Sequence, residues 1–366
     1  MSAPIRVLVV DDSALMRKLI PQILKRDSGI EVVGTAMDGA FALKKIDELK
    51  PDVVTLDLEM PRMDGVETLR EMMRRRRVPV IVVSAVGEES ARSTLKALAV
   101  GAFDFIAKPR DAASVGLEEI SNELTLKIKV AAASGAPKMI IAVPEERRKA
   151  PRVRAAIQRP SRVAAIGVST GGPNALQYLL SQLPEDFPGC LLIVQHMPEG
   201  FTSMFARRLD ECSPIEVKEA QSGDLLLSGR ALICPGNRHM KARRLPQGDI
   251  AVLVDQPRVN GHRPSVDVLF NSVAHEFGRN AIAVLMTGMG DDGAQGMGAV
   301  KAAGGLTFAQ SSDTCVVDSM PRAAIERGFV SRVVPLPGLA SLLQAHCAAE
   351  LAHTDAPAAT LIPRSS

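Results

Sequence analysis

The chain contains no tryptophan and only one tyrosine, Tyr178. So little aromatic surface leaves few platforms for stacking bases, and a net charge of +3 is too mild to attract nucleic acid. Cysteine is scarce too: five residues, an odd number without a Cys-x-x-Cys pair, argue against a disulfide framework and fit a reducing compartment. Cys190 and Cys234 fall in apolar runs and are expected in the core. No secretory apolar region opens the sequence, where Arg6 and Asp11-Asp12 interrupt, and no apolar run is long enough to span a bilayer. The expectation is a cytoplasmic protein that neither binds nucleic acid nor inserts into a membrane.

Internal repeats are absent as well. What is present is length and a change of character along it. A chain of 366 residues supports two domains of ordinary size, each with its own core. Between Val130 and Arg162 the composition turns to Ala, Ser, Pro and clustered Arg and Lys without periodicity, so residues 126–160 are expected to be an interdomain linker. Residues 1–125 and 161–350 are then the two domains, and 351–366, rich in small residues and Pro, a disordered tail. The run Arg74 to Arg77 falls where a helix should end and reads as solvated charge complementing the helix dipole.

In the N-terminal part, short apolar runs lead into polar residues: Val7-Leu8-Val9-Val10 into Asp11-Asp12, Val53-Val54-Thr55-Leu56 into Asp57, Val80-Ile81-Val82-Val83 into Ser84, and Phe103-Asp104-Phe105-Ile106-Ala107 into Lys108-Pro109. Helix-like segments near 13–25, 39–49, 65–75 and 88–100 intervene. Alternation of this kind predicts a parallel α/β sheet with these residues along one rim. Three carboxylates there repel one another unless a hard cation joins them, and Mg²⁺ suits Asp11, Asp12, Asp57 and the backbone carbonyl of Glu59. Asp57 can then attack a phosphoryl donor, and the acyl phosphate can recruit the Ser84 hydroxyl and the Lys108 ammonium.

The C-terminal part carries two glycine-rich stretches, Gly167-Val168-Ser169-Thr170-Gly171-Gly172 and Thr287-Gly288-Met289-Gly290-Asp291-Asp292-Gly293, each following an apolar run. Ser169 sits on a strand-to-helix turn, where a hydroxyl is accessible and a helix N-terminus offers free N–H groups. Serine needs a base of neutral-range pKa, itself oriented by a carboxylate. Of six histidines, His196 ends the apolar run Cys190 to Gln195, and Asp291 and Asp292 follow Ala281 to Met286 in the same way. Strand ends of a parallel sheet share a rim, so Ser, His and Asp can converge there. Their chain order differs from that of an ordinary α/β-hydrolase, where the acid precedes the histidine. The residues alone leave Asp291 and Asp292 as alternatives. His262-Arg263 is a candidate contact for an acidic substrate, with a loop-ordering Arg263 as the alternative. Met286 and Met289 are expected to be packing residues, the latter bordering the site.

Residues 1 to about 125 resemble a response-regulator receiver domain, with Asp57-Leu58-Glu59-Met60-Pro61-Arg62-Met63-Asp64-Gly65 similar to its phosphorylation loop. Residues from about 160 to 345 resemble the catalytic domain of chemotaxis protein-glutamate methylesterases. That likeness rests on the two glycine stretches, Gln195-His196-Met197-Pro198, Cys234-Pro235-Gly236-Asn237-Arg238-His239-Met240 and His262-Arg263-Pro264-Ser265-Val266-Asp267. The fold implied is two doubly wound parallel-sheet domains, a flavodoxin-like receiver and a Rossmann-like α/β esterase domain.

The resemblance implies that Ser169 attacks an ester carbonyl, His196 shuttles its proton and Asp292, favoured over Asp291 by the family pattern, orients the histidine. Backbone groups of Thr170 and Met289 would hold the oxyanion. The implied substrate is a glutamyl methyl ester on cytoplasmic chemoreceptor helices, with glutamine deamidation as a second reaction and no cofactor for either. A histidine kinase would phosphorylate Asp57, and the face of Ser84, Phe105 and Lys108 would then rearrange to uncover the esterase rim. A phosphorylation-gated binding module with an inactive esterase-like domain is the alternative. A DNA-binding regulator is disfavoured, since a long Gly-rich α/β pattern stands where a compact helix-turn-helix would follow a receiver.

Overall fold

A computed structural model describes residues 3–108, 114–135 and 159–348. Most of the expected linker, and all of the expected tail, lie outside the described residues. The N-terminal unit is a five-stranded parallel sheet, order β2-β1-β3-β4-β5, of β1 (Ile5–Val10), β2 (Ile30–Ala36), β3 (Val53–Leu56), β4 (Val80–Ser84) and β5 (Asp104–Ala107). Helices α1 (Met16–Leu24), α2 (Gly39–Leu49), α3 (Gly65–Arg75) and α4 (Glu88–Val100) alternate with the strands, and α5 (Ser114–Ser134) follows. Side-chain caps start two of them: Asp38 accepts from Phe41 N–H at 2.9 Å and Asp64 from Glu67 N–H at 2.7 Å. Strand β2 escapes the apolar pattern because Glu31, Gly34 and Thr35 interrupt an edge strand. Helix α5 runs through residue 125, so the position expected to divide domain from linker lies inside a continuous helix.

The C-terminal unit has seven parallel strands, order β14-β13-β12-β6-β7-β9-β8. They are β6 (Val163–Val168), β7 (Cys190–Gln195), β8 (Glu216–Glu219), β9 (Arg230–Ile233), β12 (Ala281–Leu285), β13 (Leu306–Gln310) and β14 (Arg332–Val334). An antiparallel hairpin, β10 (His239–Arg243) and β11 (Ile250–Val254), stands apart from the sheet. Helices α6 (Gly172–Ser181), α7 (Thr202–Cys212), α8 (Val266–Phe277), α9 (Ala294–Ala302), α10 (Ser319–Glu326) and α11 (Leu336–Ala348) complete the unit. Strands β6, β7 and β12 are buried along their whole length, as continuous apolar runs in a sheet covered on both faces should be. Cys190 and Cys234 lie in that core, and burial pushes the Cys190 thiol up to about 12.

One apolar cluster runs without a break from Leu8 and Leu56 through Phe105 to Phe201, Phe205 and Leu343, so the two units share a core. At the seam Phe105 of β5 meets Phe201, with ring centroids 5.0 Å apart. Polar ties flank the contact: Asn174 Nδ2 donates to Leu98 O at 2.8 Å, and Arg207 pairs with Glu88 at 3.2 Å.

Candidate active site

Strand β6 lies between β7 and β12, and Val168 is in register with Gln195. The next residues, Ser169 and His196, therefore leave neighbouring strands at the same level. Backbone bonds tie the strand ends together: Ser169 N–H donates to Thr287 O at 3.0 Å, His196 N–H to Val168 O at 3.1 Å and Met286 N–H to Gly167 O at 2.9 Å. Gln195 adds its side chain, donating through Nε2 to Ser169 O at 3.0 Å. Glycine is required at two points of this junction. Gly171 turns the chain into α6 at φ +77°, and a Cβ at Gly288 would lie 2.8 Å from that of Ser169.

His196 Nε2 lies 2.8 Å from Asp292 Oδ2. Asp292 is buried, which opposes its charge, yet His196, Val266 N–H and Asn260 hold its carboxyl well below the usual carboxylate range. Ser265 Oγ–H and Val266 N–H donate to it at 2.8 and 2.7 Å, and Asn260 Nδ2 at 2.9 Å. An ionised carboxylate assigns the proton to Nε2 and leaves the lone pair on Nδ1. That nitrogen is buried and has no hydrogen-bond partner, so the ring is poised to accept a proton without yet bonding Ser169. Loose contacts of this kind are usual before substrate binds.

The alternatives left by the residues separate here. Asp291 points away and pairs with Arg327 at 2.6 Å, whereas Asp292 meets the histidine. Arg263 orders a loop, reaching Asp255 at 2.9 Å and donating through Nε to Asn237 Oδ1 at 2.9 Å. His262 instead stacks on His196, ring centroids 3.8 Å apart and planes 6° apart. Beside Ser169, the backbone N–H groups of Thr170 and Met289 donate to no protein acceptor among the described residues, which leaves both free for an oxyanion. Met286 is core, and Met289 packs half-buried at the edge.

Sequence reasoning missed Asn260, Thr287 and Asp104. Asn260-Gly261 is a turn dipeptide, but its amide's partners, Asp292 and Asp267 at 2.7 Å, are long-range. The Thr287 hydroxyl lies 2.9 Å from Thr170 O and accepts from Val316 and Val317 N–H at 3.1 Å, stitching the serine turn to a distant loop. Asp104 accepts from the Thr170 hydroxyl at 2.6 Å across the seam between the units. It also pairs with Lys127 of α5 at 3.2 Å.

At the rim of the N-terminal sheet, Asp11, Asp12 and Asp57 bring carboxylate oxygens within 4.8 Å of one another. Lys108 Nζ lies 2.6 Å from Asp57 and 3.1 Å from Asp11. Burial raises the Asp57 pKa, with Asp11 adding to it and Lys108 opposing. Asp11 is fully buried, with Oδ2 facing the Lys108 ammonium. Three converging carboxylates, an all-oxygen donor set, fit a hard divalent cation such as Mg²⁺. Glu59 donates its N–H to Asp57 Oδ1 at 3.3 Å, placing its backbone beside the cluster. Ser84 is buried, its backbone carbonyl accepting from Lys108 N–H at 2.7 Å.

Family models match both units: residues 164–343 match CheB methylesterase and residues 7–116 the response regulator receiver domain. A protein-glutamate methylesterase/protein-glutamine glutaminase of Koribacter versatilis is 61% identical over 355 residues, covering 95% of this chain and 98% of that one. Its counterpart in Pyrococcus horikoshii is 45% identical over 341 residues, 92% of each. The crystal structure of the Thermotoga maritima CheB methylesterase catalytic domain is 38% identical, covering 50% of this chain and 97% of that one with a TM-score of 0.49. With two parallel α/β units in this order and identity to relatives along almost its whole length, the chain belongs to the CheB family, methylesterases that carry a receiver domain.

Proposed function

We propose that this chain works as the protein-glutamate methylesterase/protein-glutamine glutaminase of chemotaxis adaptation through Ser169, His196 and Asp292. The observation that carries the assignment is the buried His196–Asp292 pair at 2.8 Å, one strand end away from Ser169. Ser169 Oγ attacks the ester carbonyl of a receptor glutamyl methyl ester while His196 Nδ1 takes its proton, and Asp292 stabilises the imidazolium. Thr170 and Met289 N–H groups hold the oxyanion. The tetrahedral intermediate collapses, and methoxide leaves as methanol with the proton His196 returns. Water, deprotonated by the same imidazole, attacks the acyl-serine and yields glutamate. With a glutamine substrate the group expelled is ammonia.

The receiver supplies control. A histidine kinase or small phosphodonor transfers its phosphoryl group to Asp57, with Lys108 neutralising part of the added charge. Asp11, Asp12, Asp57 and the Glu59 carbonyl would hold Mg²⁺, which when bound offsets charge on the transferred group. Phosphorylation draws Ser84 and Lys108 toward Asp57 and moves Phe105, loosening the seam with Phe201 and the Asp104–Thr170 contact. Burial of Phe105 against Phe201 beside the serine turn supports this route. We place the reaction in the cytoplasm, where receptor signalling helices lie. No helix among the described residues is long and apolar enough to cross a membrane.

The test is methanol release from methyl-labelled chemoreceptor by wild type and Ser169→Ala, each with and without phosphodonor and Mg²⁺. Wild type should release methanol faster with donor, and Ser169→Ala should lose at least about a thousandfold under both conditions. Residual turnover within tenfold of wild type would remove Ser169 from the mechanism. No wild-type release at all would favour a binding module.

A further inference from the structure

We propose that His262 is a positioning residue for the esterase reaction: its ring, stacked face to face on His196, sets the plane of the catalytic imidazole. This rests on His196 being the base. The hydrogen bond to Asp292 fixes the ring at Nε2 only, and the opposite nitrogen, Nδ1, has no partner. Held by its Cβ bond and by the hydrogen bond at Nε2, the ring can still rotate about the line between them. Proton transfer from Ser169 needs the Nδ1 lone pair aimed at the hydroxyl, so a second constraint is required, and the parallel ring at 3.8 Å supplies it.

The mount itself is rigid. Val259 and His262 exchange backbone hydrogen bonds at 3.0 and 2.9 Å, closing a two-residue turn with Asn260 at φ +52° and Gly261 at φ +78°. Two consecutive positive φ values define a tight primed turn, which fixes the direction of the His262 Cα–Cβ bond. Asn260 anchors the turn by donating to Asp292 and Asp267. On the other side, Arg263 is tied to Asp255 and Asn237. Asp292 therefore holds His196 by its edge and, through Asn260, holds the turn that presents His262 to its face.

Charge is compatible with this role. Burial, with His196 and Arg258 adding and Asp292 and Glu123 opposing, holds the His262 pKa down at about 4. At neutral pH the stacked ring is uncharged and does not repel the imidazolium that forms when His196 takes the serine proton.

The experiment compares His262→Phe, which keeps a flat ring, with His262→Leu and His262→Asn, which do not, in the full chain with phosphodonor and Mg²⁺. Methanol release from methyl-labelled chemoreceptor gives kcat and KM, and ¹H NMR follows the His196 ring protons. Leu and Asn should each lower kcat by about 10- to 100-fold with KM within twofold, because misorientation costs rate rather than binding. Phe should recover at least tenfold over Leu. The His196 ring protons should lose their ring-current shift in Leu and Asn and keep it in Phe. Thermal midpoints identify any misfolded variant, and with two non-aromatic replacements the comparison with Phe still stands if one of them misfolds. Retained kcat in both, a loss confined to KM, or equal loss in Phe and Leu would each overturn the inference. His196→Gln is the parallel control: if it keeps turnover, the base assignment fails whatever the His262 variants do.

Discussion

Asp292 is 1% exposed, yet it carries charge because the donors around it are fixed: a hydroxyl, an amide and two backbone N–H groups, besides the histidine. Asp292→Asn would put a donor where His196 needs an acceptor and force the other tautomer, so kcat should fall by about 10⁴-fold. Asp291→Asn changes only an exposed pair with Arg327 and should keep kcat within twofold; steady-state methanol release separates the two. His262 gives a second residue-level expectation. Its folded pKa of about 4 lies below the ordinary 6.5, so as pH falls from about 6.5 the unfolded chain takes up a proton that the folded chain refuses. This residue's contribution to stability should decline until about pH 4, with a slope below about 1.4 kcal/mol per pH unit. Urea unfolding of wild type and His262→Phe across that window should show a steeper acid loss in wild type; parallel curves would refute it.

Among elements, β5 and α4 carry the link between the units, and α5 braces β5 from within the receiver. Asp104 of β5 accepts from Thr170, whose own N–H flanks Ser169, while Lys127 of α5 donates to Phe105 O at 2.6 Å. Thr170→Val keeps the volume and the backbone N–H but removes the hydroxyl from Asp104. Basal methanol release without donor should rise severalfold and donor stimulation should shrink; an unchanged basal rate would show that the contact does not restrain the site. The strand ends were legible in the sequence because buried parallel strands are continuous apolar runs and their C-terminal residues share a rim. Helices α2, α3 and α4 were legible as helix-like segments between the apolar runs, and Asp38 and Asp64 cap the first two. Strand β2 was not, since an edge strand needs no unbroken apolar run, and neither was β10, where Lys241 and Arg243 interrupt the pattern. Asp104 passed as one member of the Phe103–Ala107 run, because its meaning lies in Thr170, 66 positions away. Pairings at that distance leave no periodicity to detect.

At the scale of the molecule, the two units meet over apolar surface as well as polar ties. Removing residues 1–150 should therefore raise donor-independent methanol release, and a less active fragment would contradict restraint by the receiver. The shared core has a thermal consequence. Separating Phe105 from Phe201 hydrates surface that is dry in the closed form, so opening carries a positive heat-capacity change, a miniature of the one seen on unfolding. The balance between closed and open forms is then curved in temperature. If the receiver restrains the site as proposed, donor-independent methanol release by the full chain should follow a more curved temperature dependence than release by the fragment lacking residues 1–150.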